Sequence, residues 1–132
     1  MSNGTDLLRS WGITLLRVTV GVVFVAHGGQ KFFMGFHQVA EFLGSLEIPE
    51  PTAAAIILTA VEFFGGLAMI FGVLTRYVAI MLAFDMAVAI ITFHWRNGFF
   101  TAQNGIEFPM VLLVANLTLI LTGGGEIELF TF

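Results

Sequence analysis

The sequence predicts an all-α integral membrane protein, a four-helix bundle whose helices run antiparallel in an up-down-up-down order. Three observations predict it. Hydrophobic residues make up 58% of the 132 and charged residues only 11%, where soluble domains carry about 25% charged residues; mean hydropathy is +0.95. A water-soluble chain this short could not cover so much apolar surface. The apolar residues gather into four stretches, of which two reach the roughly 20 residues that cross a ~30 Å hydrocarbon core and two fall somewhat short. The alternation that about eight barrel strands would need is absent, and in hydrocarbon each span must satisfy its own backbone polar groups, so the spans are helices. With no internal repeat, residues 1–132 form one transmembrane domain.

The first span runs from about Trp11 to Phe33. The segment before it, MSNGTDLLRSWG, lacks a basic n-region and a small-residue cleavage site, so the span is expected to be retained. Residues 34 to 51 form a longer connection. Phe36, Val39, Ala40, Leu43 and Leu46 recur there at helical spacing with Glu41 opposite, the pattern of a short interfacial helix ending before Glu47. The second span runs from about Thr52 to Gly72, with Pro51 suited to its first turn and Gly72 to its end. Residues 73–76 make a tight turn into the third span, about Tyr77 to Phe93. The loop HWRNGFFTAQNGIE follows, and the fourth span runs from about Phe108 to Thr122, stopping at three glycines. The short spans can be completed by interfacial residues or local thinning. Arg9, Arg76 and Arg17 outnumber Lys31 and Arg96 across the two sides, which puts both termini in the cytoplasm.

Each span carries polar groups that do not belong in oil. Mid-span charges cost at least ~2.5–3.5 kcal/mol, so such groups face the interior and pair. Arg17, Gly21, Phe24, His27, Gly28 and Lys31 follow three- and four-residue steps and make one stripe. Glu62 and Asp85 lie near the middle of their spans. Depth pairs Arg17 with Glu62, as a structural ion pair or a proton relay. Asp85 is left either protonated or with an unnamed basic partner. At the opposite end of the first helix, His27 and Lys31 meet the level of His94, Asn97 and Glu107. With Phe24 these residues are the candidate ligand-binding set. Lys31 alternatively reads as a terminal lysine snorkelling to the interface, and His37 as a solvated loop residue.

Four pieces in order carry a family resemblance: LLRVTVGVVFVAHGGQKF (15–32), EFFGGLAMIFGVLTR (62–76), HWRNGFF (94–100) and NGIEFPMVLLVANLTLILTGGG (104–125). Together they resemble the DoxX family of small four-helix membrane proteins. The tail GGGEIELF departs from the pattern. The resemblance implies a multi-pass protein of a prokaryotic cytoplasmic membrane with a redox or quinone connection; some members are the membrane subunit of a thiosulfate:quinone oxidoreductase, and many have no assigned activity.

Three functional expectations stand side by side. The first is a quinone-linked redox subunit. His27, Lys31, His94 and Glu107 would supply donors and protons, and Phe24, Phe99 and Phe100 an aromatic slot. The chain has no cysteine, so thiolate chemistry is excluded and electrons come from a partner oxidoreductase or a bound cofactor. Two histidines without supporting spacing argue against haem, and no metal site is expected. The second is a non-enzymatic scaffold or assembly factor that docks a soluble oxidoreductase to the membrane. The third is a small proton-coupled transporter using Glu62 and Asp85, which would need a homo-oligomer. The net charge of −4 argues against a nucleic-acid partner; lipid is the surrounding partner in every case.

Overall fold

The computed structural model describes residues 4–129; residues 1–3 and 130–132, which the single-domain expectation also covers, lie outside it. Five α-helices follow in order: α1 (Gly4–Met34), α2 (Phe36–Ser45), α3 (Pro51–Phe71), α4 (Thr75–Thr92) and α5 (Glu107–Thr122). Two 3₁₀ turns, His94–Asn97 and Thr101–Gln103, lie between α4 and α5. Helices α1, α3 and α4 are long and apolar enough to cross a membrane, while α5 has 16 residues. Helix α1 begins seven residues earlier than the apolar run. Its 31 residues span about 46 Å, more than the hydrocarbon core requires.

The helix boundaries follow local chemistry. Gly35, at φ 91°, separates α1 from α2 in a conformation that disfavours other residues. Pro51 opens α3, and Gly72, at φ 73°, ends it in the left-handed conformation. Helix α2 is the expected amphipathic segment. It buries Val39, Ala40 and Leu43 against Ala55 of α3, so its apolar face is taken up largely by the protein.

The tightest packing joins α1 to α3. A Cβ at Gly21 would sit 2.7 Å from the Gly66 carbonyl oxygen, one at Gly28 2.5 Å from the Phe63 nitrogen, and one at Gly66 2.6 Å from the Val25 nitrogen. Only glycine permits such backbone approach. The contacts run in opposite order along the two helices, so α1 and α3 are antiparallel neighbours. Gly28 therefore receives a helix and not the ligand ring that its lack of side chain also allowed. Gly65 faces α4 at ordinary distances from Leu82 and Val78. The main core, including Val20, Phe24, Met69, Leu82, Leu112 and Leu119, lies among α1, α3, α4 and α5.

Substituting Gly66 with leucine should therefore lower the thermal stability of the detergent-solubilised protein by about 1–3 kcal/mol or more, the cost of overpacking. Gly65→Ala should be close to neutral, because its new methyl meets side-chain tips at 3.4–3.5 Å. Equal losses in the two variants, measured by melting in one detergent, would contradict this packing.

Candidate functional site

The α1–α3 register decides which charges meet. With Gly28 against Phe63, the next turn of α1 comes level with Glu62. Lys31 Nζ donates to Glu62 Oε1 at 2.6 Å, and the two side chains are 24% and 4% exposed. Asp85 of α4 lies against Glu62 from the other side. Two carboxylates are acceptors only, so a hydrogen bond between them requires a shared proton. One ammonium, two carboxyl groups and one proton make a cluster with no net charge, which is the form that a low-dielectric interior favours. Asp85 Oδ2 is buried and receives no hydrogen bond from the described residues. The partner that Asp85 lacked in the sequence is thus the Lys31–Glu62 pair.

The expected pairing of Arg17 with Glu62 is not formed. Arg17 is 1% exposed and sits beside Gly72 at the other end of α3. Its Nη1 donates to the carbonyls of Gly124 and Glu126 at 2.8 and 3.2 Å, and its Nη2 to that of Ile127 at 3.0 Å. Thr14 holds the same segment, accepting from the Glu126 N–H at 2.7 Å and donating to its carbonyl at 3.0 Å. Glu128 accepts from Thr75 Oγ1 at 3.1 Å, and the Leu129 N–H donates to the Phe71 carbonyl. The tail that departs from the family pattern is therefore a strap clasped by Arg17. Nothing in its sequence except proximity to three glycines signalled this.

A cavity of about 870 Å³ opens around the Lys31 cluster. His27, Lys31, Glu62, Asp85, His94 and Phe24 all line it, so the structure brings together most of the expected site and adds the mid-span carboxylates to it. The remaining walls are mostly apolar, from α2, α3, α4 and α5. His27 is exposed at one edge, its ring 5.8 Å from that of Phe108. His94 Nδ1–H donates to the Asn104 carbonyl at 2.7 Å, which leaves Nε2 as an acceptor. Asn97 and Glu107 are not among the lining residues. The Asn97 amide instead donates to the Phe93 and Asn104 carbonyls and folds the loop. Glu107 stands at the start of α5, its N–H bonded to the Phe99 carbonyl. Phe99 and Phe100 meet edge-to-face and are exposed, outside the cavity. His37 belongs to α2 and reaches Glu41 at 3.0 Å on an exposed face.

With this geometry in place, comparison with known proteins is informative. The DoxX family profile matches residues 12–95. The chain belongs to the DoxX family. The matched region carries His27, Lys31, Glu62, Asp85 and His94, and α5 lies beyond it. Curated relatives agree. The chain is 35% identical over 121 residues to the "Putative oxidoreductase CatD" of Bacillus subtilis, covering 92% of this chain and 86% of the relative. It is 30% identical to the "Inner membrane protein YphA" of Escherichia coli, over 89% of this chain and 86% of the relative. It is 28% identical to the "Inner membrane protein YqjF" of the same organism, over 89% and 88%. No solved structure matches the chain. Family, relatives and apolar helices agree on a membrane protein.

The register makes a double-mutant cycle decisive. Glu62→Gln should destabilise the protein by roughly 3–5 kcal/mol by leaving Lys31 without its counter-charge, and Lys31→Met in the same background should recover part of that loss. Arg17→Met combined with Glu62→Gln should be additive within about 0.5 kcal/mol. Coupling between Arg17 and Glu62 in denaturation of the purified variants would refute the assignment.

Proposed function

We propose that this DoxX protein is the inner-membrane subunit of a quinone-linked redox system, and that its cavity holds the quinone head. The carrying observation is the Lys31–Glu62–Asp85 cluster set in the wall of an otherwise apolar chamber. A quinone ring needs an apolar slot, donors for its carbonyls and a source of protons. Phe24 and Phe108 line the slot. Lys31 has three N–H donors and uses one on Glu62. In this reading the carboxyl pair holds a proton beside it, and a quinol hydroxyl supplies the donor that buried Asp85 Oδ2 lacks among the described residues. His27 and His94 supply further exchange sites at the rim.

Quinone reduction takes two electrons and two protons. In this reading a soluble or membrane oxidoreductase partner delivers the electrons, and this chain positions the ring and passes the protons. The CatD name and the inner-membrane names of the Escherichia coli relatives support the setting. The proposed topology is an antiparallel four-helix bundle of α1, α3, α4 and α5. Arg9, Arg17 and Arg76 gather at the end with the C-terminal strap, which supports a cytoplasmic side for that end of the bundle.

Two measurements test these statements. A labelled short-chain quinone analogue should bind the wild type, and Lys31→Met and Asp85→Asn should each weaken it about tenfold or more, the equivalent of one charge-assisted hydrogen bond of ~1.5–3 kcal/mol. Asn97→Ala and Glu107→Gln should retain affinity. Undiminished binding in folded Lys31→Met and Asp85→Asn would leave the docking-scaffold reading in its place. For topology, reporter fusions at Thr75 should read cytoplasmic and at Gly98 external; the reverse pattern would invert the proposed orientation.

A further inference from the structure

The cavity touches the surface at residues that a soluble ligand would not meet. Ile57, Ile80, Met81 and Phe84 line it, yet are 62%, 51%, 50% and 71% exposed. A side chain that both lines a cavity and faces outward marks a mouth. All four are apolar and lie within α3 and α4, on the two sides of one interhelical gap. Near the connecting turn the two helices touch, Gly65 against Val78 and Leu82. Farther from the turn the cavity intervenes between them, from Val61 and Asp85 outward to Ala54 and Thr92.

The other edges have contacts across them. Helix α1 lies backbone-to-backbone on α3. The ring of His27 meets that of Phe108 at 5.8 Å across the α1–α5 edge. Phe42 of α2 meets Phe93 edge-on at 5.1 Å and covers the end toward the loop. The gap between α3 and α4 is the opening whose exposed lining residues are all apolar, whereas the other edges carry His27, Thr101 and Asn104.

We propose that the ligand enters sideways from the bilayer between α3 and α4. Resting on the binding reading above, this defines the ligand class: an amphiphile with a compact ring and a long apolar chain. The ring reaches Lys31, Glu62 and Asp85, and the chain lies along Ile57, Ile80 and Phe84 and out into the lipid. A chain left in the gap meets surroundings as apolar as the lipid it came from, so admission costs little beyond ordering. A charged water-soluble substrate would have to cross hydrocarbon to reach the same mouth.

The test uses the wild-type chain in phosphatidylcholine nanodiscs with a quinone carrying a diazirine at the far end of its isoprenoid chain. After irradiation, peptides spanning 51–61 and 77–89 should carry the label, and excess short-chain quinone should remove it. Label confined to 94–106 or to α5, but still competed by the short-chain quinone, would overturn lateral admission while leaving the head site standing. Label on α3 and α4 that the competitor does not reduce, and that a diazirine phosphatidylcholine reproduces, would mean ordinary lipid contact and overturn the proposal. Loss of all saturable binding, including that of the short-chain quinone, would overturn both this proposal and the binding reading.

Discussion

The approach of α1 to α3 through Gly21, Gly28 and Gly66 fixes the rest of the molecule. Because the backbones touch, the register between the two helices cannot slide by a turn without driving side chains into main chain. That register sets Lys31 level with Glu62 and Arg17 level with Gly72. Every later feature inherits it. The cavity forms where α4 stands off from α3 above the cluster, and the strap docks where α1 passes the end of α3.

The two charged regions solve one problem in different ways. At one end a cation is matched by carboxyl groups: Lys31 donates to Glu62, and Asp85 lies against the same carboxylate. At the other, Arg17 is met by three backbone carbonyls, with the Glu128 carboxylate nearby. Carbonyl dipoles give a fixed, proton-independent cage. The carboxyl cluster instead lines an open chamber. Of the two, only the cluster lines the large cavity, and the difference follows from which groups surround each cation.

Much of this was legible in the sequence, for identifiable reasons. Composition alone placed the chain in a bilayer, and Pro51, Gly72 and Gly123 bracketed helices within a residue or two. Helical spacing found α2 and put Phe24, Gly28 and Lys31 on one stripe. The level of His94 followed from threading the helices back and forth. What failed was pairing. Depth was counted from the ends of apolar runs, but α1 extends seven residues before its run, so counting placed Arg17 opposite Glu62 when the glycine contacts place Lys31 there. Glu107 and Asn97 were assigned by level alone, and level does not say which way a side chain turns. The tail carried no periodicity, and a strap held by carbonyls leaves no side-chain signature.

The Arg17 clasp has a consequence for how the protein is made. Its acceptor carbonyls lie 107 to 110 residues downstream of the arginine they surround. At about 5–20 residues per second, that separation is roughly 5–20 s of translation. During that interval α1 already exists and its guanidinium lacks its final partners. A chain truncated before residue 124 therefore holds Arg17 in its first helix without these acceptors.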